Sequence, residues 1–399
     1  MISATACTLE LDNPVAAASE LAAQINKQLT LQKNSIGLIL GDSDMDFAAL
    51  NSELKKNFDF NIFGCTSAGM FGINEGYEEF CITLLVLSAN DCDFHLECSA
   101  LINKNSALNA IETAYRAGET AIGGRPKLVI ALAPRISDVF LDLYPDIVGE
   151  ISNGVPVFGG IPSASPGGKE FIFINDEIYT NRAVFLFITG NVRPYFCACN
   201  LFDNIAEQKR RITKAEGNIL YRVGDQTFLE YAKSLGLRFD FDDPDTRSFA
   251  FVSHPLLIEE NTGDGNSISF VRTIGDVNLE EGYVVTLGKV PQGALMSIGV
   301  LRKGEITRSA EIGVQEISQL LENSDNDYKY STMLCVSCIG RSMVMAPNID
   351  LEGKLVQSAL GNKLKISGFY AWGEICPTAY TDETAINCGH DETLSLCVF

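Results

Sequence analysis

The spacing of apolar residues repeats one plan three times: helix, apolar strand, amphipathic helix, second apolar strand, glycine-bearing loop. In the first repeat Asn13 caps a helix with Pro14 at its first position. Leu21, Ile25 and Leu29 recur on it at helical spacing. Ser35 to Leu40 follows as a strand, a helix from about Asp46 presents Phe47, Leu50 and Leu54, and Phe60 to Phe63 leads into Gly64. In the second, Leu108, Ile111 and Tyr115 mark a helix and Leu128 to Leu132 a strand. Asp138 then caps a helix carrying Phe140, Ile147 and Ile151, kinked or restarted at Pro145, and Val155 to Phe158 runs into Gly159. The third has a helix around Ala310 to Leu321, a strand Met333 to Ser337, and a helical face of Leu351, Leu355 and Ala359 ended by Gly361. Leu364 to Ser367 then reaches Gly368. Strand, helix and strand in succession predict a parallel pair in each repeat.

Between the second and third repeats the pattern changes. Phe171 to Ile174, Glu177 to Thr189 and Tyr195 to Cys199 read as antiparallel strands, with turns at Asn175-Asp176 and Gly190-Asn191. Asp225 to Gly236 is a capped helix with Phe228, Leu229, Ala232 and Leu235 inward, and Asp240 to Asp245 is a polar loop. Phe249 to Ile258, Ser267 to Ile274 and Tyr283 to Gly288 are further strands. The expected fold is α/β in two domains, 1–224 and 225–399, with repeats ending in glycine loops and antiparallel strands mid-chain. Gly368 to Pro377 holds the only tryptophan, Trp372, and is echoed by Gly64 to Phe71 and more weakly by Gly159 to Ala164. Glycine after a strand lets backbone approach a ligand closely, so these loops are the expected binding surface.

A chain of 399 residues can bury two cores. Its 46% hydrophobic and 20% charged content excludes disorder. Apolar runs such as Ile82 to Leu87 and Ala183 to Ile188 are too short to span a bilayer. The start lacks the basic-then-apolar pattern of a signal peptide, so a cytoplasmic location is expected. The net charge of -21 argues against nucleic acid, and the longest basic run, Lys209-Arg210-Arg211, is short. Many of the twelve cysteines sit in apolar runs, as Cys81, Cys335 and Cys397 do, which fits buried thiols in a reducing compartment.

Several short stretches occur in a telling order. They are Phe63 to Gly69, Val157-Phe158-Gly159-Gly160, Ile212 to Leu220, Ser234-Leu235-Gly236 and Pro255-Leu256, then Val271-Arg272, Cys338-Ile339-Gly340-Arg341, Gly368-Phe369-Tyr370 and Gly373-Glu374-Ile375. Together, over nearly the whole chain, they resemble the FIST family of bacterial sensory proteins with its paired N-terminal and C-terminal domains. Leu201 to Ile205 departs from the pattern, lacking a Gly-Trp pair ahead of Ile212-Thr213. The resemblance implies ligand sensing coupled to a signalling output. With no output module before Phe399, the expected partner is a separate histidine kinase, or a diguanylate cyclase or phosphodiesterase of cyclic-di-GMP. One branch of the family binds haem b and senses nitric oxide, and small-metabolite sensing, amino acids included, is another implied role. A protein–protein adaptor without a small ligand is the rival.

Haem iron needs an axial His, Cys, Tyr or Met. His254, at the end of an expected strand with Phe249 and Phe251, is the candidate metal ligand; the alternative is a hydrogen-bonded or exposed loop histidine. His390 is the second choice, and His95, between Phe94 and Leu96, reads as the outward face of a strand. No Cys-x-x-Cys-His occurs, so haem would be held without thioether links. Arg272 and Arg341 each follow an apolar strand and could clamp a carboxylate or a propionate, or form salt bridges. Glu374 could orient a ligand amine or pair with one of these arginines, while Tyr370 and Trp372 could stack on a flat ligand or cap the core. Cys335 and Cys338 have redox spacing but lie on a buried strand with no second pair, which reads as structural. Cys65, Ser67 and Cys376 lack a histidine in a relay motif and no phosphate loop occurs, so no enzyme is expected.

Overall fold

The computed structural model describes every residue except 74–75, 104, 136–147, 205–208, 262–266 and 325–327. Three six-stranded sheets share one strand order. The first runs Ile2–Thr8, Ile82–Ala89, Asn34–Gly41, Asn61–Thr66, then the hairpin Ile172–Ile174 and Glu177–Tyr179. The second runs Cys92–Cys98, Val184–Gly190, Leu128–Leu132, Val157–Gly160, then the hairpin Glu374–Thr381 and Thr384–His390. The third runs Tyr195–Cys199, Leu394–Val398, Thr332–Cys338, Lys365–Ala371, then the hairpin Met70–Phe71 and Tyr77–Glu78. The parallel pair expected in each repeat is present in all three sheets. Each repeat lends its hairpin to another: the first to the third, the second to the first, the third to the second. This exchange ties the first two hundred residues to the last hundred.

The strands read as continuous apolar runs because both faces are covered; all eight residues of Ile82–Ala89 are buried. Inner faces of all three sheets, including Leu38, Phe63, Ile130, Phe158, Val336 and Phe369, form one shared core. Helices cover the outer faces: Pro14–Gln28 and Phe47–Leu54 on the first sheet, Ala107–Ala121 on the second, Lys303–Asn323 and Leu351–Leu360 on the third. Asn13 and Asp46 cap as expected, accepting from the amides of Ala16 at 3.1 Å and Ala49 at 3.0 Å. The helix expected from Asp138 falls outside the described residues apart from its end at 148–151.

The glycines at the repeat ends have a different task from the one their spacing suggested. Gly64, Gly159 and Gly368 occupy the same place in their sheets, opposite Ile39, Ala131 and Cys335 of the parallel partner strand. A Cβ at these positions would lie 1.8, 1.9 and 2.2 Å from the partner's carbonyl oxygen. They permit close strand approach, and no ligand is needed to account for them.

A fourth sheet of nine strands lies within Asp203–Val300 and draws strands from both sides of Gly224. It packs its own core of Phe228, Ile258, Val284, Met296 and Ile298. Two expectations change here. Phe249 to Ile258 is not one strand: Pro244–Ser253 is a helix capped by Asp243, which accepts from the Thr246 amide at 2.8 Å, and the strand begins at Leu256. The supposed polar loop thus supplies the cap and first-turn proline of a helix. The preceding helix is Phe228–Ser234, started by a capping box of Thr227 with Glu230, and it buries Tyr231 where Leu229 and Leu235 are only partly covered.

Candidate functional site

The three repeat ends meet. Ser67 and Ser163, from the first two, both donate their hydroxyls to the carbonyl of Tyr370 in the third, at 3.0 and 2.5 Å. Ser163 also accepts from the Ala68 amide at 3.1 Å. Ile161 and Trp372 are joined through their backbones, with the Trp372 amide 3.0 Å from the Ile161 carbonyl. Ser67, Ser163 and Tyr370 of the junction are buried and hydrogen-bonded. Beside it the Trp372 indole donates to Glu170 at 2.6 Å, and Arg135 lies 3.9 Å over the ring.

His254 does not end a strand. It follows the last turn of the helix Pro244–Ser253, half-buried, with Nδ1 2.9 Å from the Ala250 carbonyl and its ring edge-on to Phe239 at 6.1 Å. That contact requires Nδ1 to carry the proton, leaving Nε2 the free nitrogen of the neutral ring. The other four candidates are buried. Arg341 is fully enclosed: Nε donates to Glu352 at 3.1 Å, Nη2 contacts the same carboxylate, and the remaining N–H groups meet Ser309 at 3.0 Å and the carbonyls of Cys199, Ile306 and Glu392. Burial alone would lower its pKa, but Glu352 outweighs this and holds it above the ordinary value. Arg272 donates to the carbonyls of Lys289 at 3.1 Å, Val271 at 2.9 Å and Gly389 at 2.9 Å. Tyr370 is enclosed against Phe71 and Tyr77, its hydroxyl 3.3 Å from the Ile349 carbonyl.

Haem would need an axial ligand and cations free for its propionates. His254 keeps Nε2 open, and Nδ1 of His390 is unpartnered but enclosed; both arginines spend N–H groups on partners inside the protein, so no propionate clamp is available, and Tyr370 is walled into the core. The set does not fit haem.

What the structure does assemble is a buried acidic knot where the 203–300 module rests on the three-sheet body. Glu374 opens the hairpin strand Glu374–Thr381, and Asp391 and Glu392 form the link from that hairpin to the final strand. Thr273 reaches over from the module: its amide donates to Asp391 at 2.8 Å and its hydroxyl to Glu392 at 3.0 Å. All three acids are at most 1% exposed. Neither carboxyl oxygen of Glu374 has a hydrogen-bond partner among the described residues, nor does Oε2 of Glu392 or Nδ1 of His390. Each such atom, left alone, costs about 1–3 kcal/mol.

Burial, then the charges of Asp391 and Glu392, pushes Glu374 well above the carboxylate range. The nearby Thr393 amide offsets a small part. Burial and Asp391 raise Glu392 to about 8. His390, whose Nε2 lies 3.0 Å from the Cys376 carbonyl, is lowered to about 4, chiefly by burial. The setting therefore favours the uncharged form of Glu374, of Glu392 and of the His390 imidazole alike. Cys338, at the neighbouring strand end, is pushed well up by burial, and Cys335 is fully enclosed as well, which suits inert thiols. Among the described residues no group of three His, Cys, Asp or Glu is arranged to hold a metal ion.

Comparison with known families decides the wider identity. The FIST N domain matches residues 35–226 and the FIST C domain residues 228–377. The chain belongs to the FIST family. FIST domains are sensory domains of signal transduction and are not known as catalytic. Asp391 and Glu392 of the knot lie beyond the residues matched by the FIST C domain. Among solved structures, a chorismatase matches with 10% identity, covering 100% of this FIST chain and 98% of its own, at a TM-score of 0.35. PurLQS from Thermotoga maritima matches with 10% identity, 77% and 72% coverage and a TM-score of 0.21. No curated protein matches. Among the described residues no helix is long and apolar enough to cross a membrane.

Of the five expected site residues, Arg272, Arg341 and Glu374 gather around the knot, since Arg341 also weakens the pKa rise of Glu374 and Glu392. Tyr370 lies at the junction of the repeat ends, and His254 lies apart on its helix end. Thr273, Asp391 and Glu392 were missed. His390 is singled out by residue type alone, and an acidic pair beside it in a polar stretch carries no mark of burial.

Proposed function

We propose that this FIST protein senses a small amine-bearing metabolite, such as an amino acid, which engages Glu374 in the buried knot. The observation that carries this reading is a fully enclosed carboxyl group with both oxygens unpartnered, at the seam between two bodies of the chain. An ammonium group would satisfy those oxygens and draw the proton off Glu374, so binding would release protons and strengthen with pH. Because Glu374 is sealed, a guest enters only when the 203–300 module lifts from Asp391 and Glu392. A ligand that binds the lifted arrangement better shifts the population toward it, which is the requirement for a signal. The output passes to a separate histidine kinase or cyclic-di-GMP enzyme, as the family resemblance implies. The test is a thermal-shift screen of amino acids and other small amines against the wild type and Glu374→Gln. A hit that stabilises the wild type and not the variant supports the reading, and hits indifferent to the substitution remove it.

A further inference from the structure

We propose that a second site, a cleft between the first and third repeats at the edge remote from the knot, binds a small polyanion. The cleft has a volume of about 430 Å³, within the range of small-molecule sites. Its walls come from the start of the first strand, the end of the helix Pro14–Gln28, and the two segments that lead into the parallel pair of the third sheet. Lys329, Lys363 and Lys365 line it together with Tyr330, and among the described residues no aspartate or glutamate lines it. The chain as a whole carries 51 acidic and 30 basic residues, so a lining with three lysines and no acidic residue among the described ones runs against its composition.

Each lysine has a flexible stem and a point charge, which suits oxyanions of varied shape better than one planar carboxylate. The described ion pairs take little of this charge. Lys363 lies 3.8 Å from Glu322, which is 71% exposed, and an exposed pair of that length contributes little. Asn362, in the Gly361 to Lys365 stretch, adds an exposed amide, and Tyr330, edge-on to Tyr328 at 5.0 Å, supplies an aromatic wall. Three cations beside one ring fit a guest with two or more negative charges on a compact body. Phosphate-bearing and carboxylate-bearing compounds share that chemistry.

The proposal is independent of the knot, which takes a cation where this cleft takes an anion. Isothermal titration of the full chain with pyrophosphate, adenosine monophosphate and citrate, at low and at physiological salt, tests it. At least one of the three binds, more weakly at the higher salt, and the double variant Lys329→Gln with Lys363→Gln, both exposed and distant from the cores, loses about tenfold or more in affinity. Preference for pyrophosphate and adenosine monophosphate over citrate assigns the phosphate class, and the reverse the carboxylate class. No binding by any of the three at millimolar concentration, or binding that the double variant or neutral adenosine reproduces in full, overturns it. Unchanged unfolding of the double variant in urea separates loss of the site from loss of the fold.

Discussion

Replacing Glu392 by glutamine should change how the stability of the protein depends on pH. Glu392 titrates at about 8 in the fold against 4.5 when free. Between those values the folded chain holds a proton that the unfolded chain has released, so stability falls as pH rises. At about 1.4 kcal/mol per pH unit the full loss from Glu392 is roughly 5 kcal/mol, complete above pH 8. His390 acts in the opposite sense. Its pKa is lowered from 6.5 to about 4, so the unfolded chain takes the proton first and stability rises with pH over that window. The two slopes oppose each other from about pH 4.5 to 6.5, and only the downward slope of Glu392 continues from about 6.5 to 8. Glu374 adds to the downward side. Glutamine keeps the shape and can still accept from Thr273, but it does not ionise. Urea unfolding from pH 5 to 9, followed by the fluorescence of Trp372 and by circular dichroism, measures the difference. Glu392→Gln should differ little from the wild type at pH 5 and gain steadily on it to pH 8. Parallel stability curves for the two proteins would refute a buried, uncharged Glu392.

Arg341→Met should cost about 3–5 kcal/mol in urea unfolding, because it strands the enclosed Glu352 carboxylate; Arg341→Met with Glu352→Leu should recover much of the loss. A small loss from the single change would refute the reading of Arg341 as the enclosed partner on which the Glu352 carboxylate depends. Gly64→Ala should cost about 3 kcal/mol or prevent folding, since its methyl group would meet the Ile39 carbonyl, and a neutral outcome by the same assay would refute the close strand approach. In timed alkylation read by mass spectrometry, Cys7 should react before Cys335, Cys338, Cys376 and Cys397: it is partly exposed and lowered by the Cys81 thiol, whereas the others are buried and raised. Protein expressed with haem supply should show no Soret band that depends on His254, and a band abolished by His254→Ala would reverse the judgement on haem fit.

The repeat was legible because its signals are local. Asn13-Pro14 and Asp46 announce helices, Leu128 to Leu132 is a strand that both faces bury, and Gly64, Gly159 and Gly368 punctuate the three units. The hairpin exchange was not legible, because which strand edge Ile172–Ile174 or Glu374–Thr381 joins depends on partners distant in sequence. The glycines were found for the wrong reason. A glycine that clears a ligand and one that clears a neighbouring carbonyl look the same in one dimension. The aromatic run near Phe249 outweighed the Asp243-Pro244 helix start, and with it went the strand placement of His254. Arg272 and Glu374 were singled out by type and position, but their setting depends on Thr273, Asp391 and Glu392, which are ordinary surface residues until the module folds back over them.

The most direct test of ligand engagement at the knot is calorimetric titration of the best amine-bearing metabolite from the thermal-shift screen into wild type and Glu374→Gln, in two buffers of different ionisation enthalpy. If the guest meets Glu374 as an ammonium, the wild type releases protons on binding, and the variant binds at least tenfold more weakly with little or no proton release. Equal affinity and equal proton release in the two proteins would place the ligand elsewhere and contradict the account.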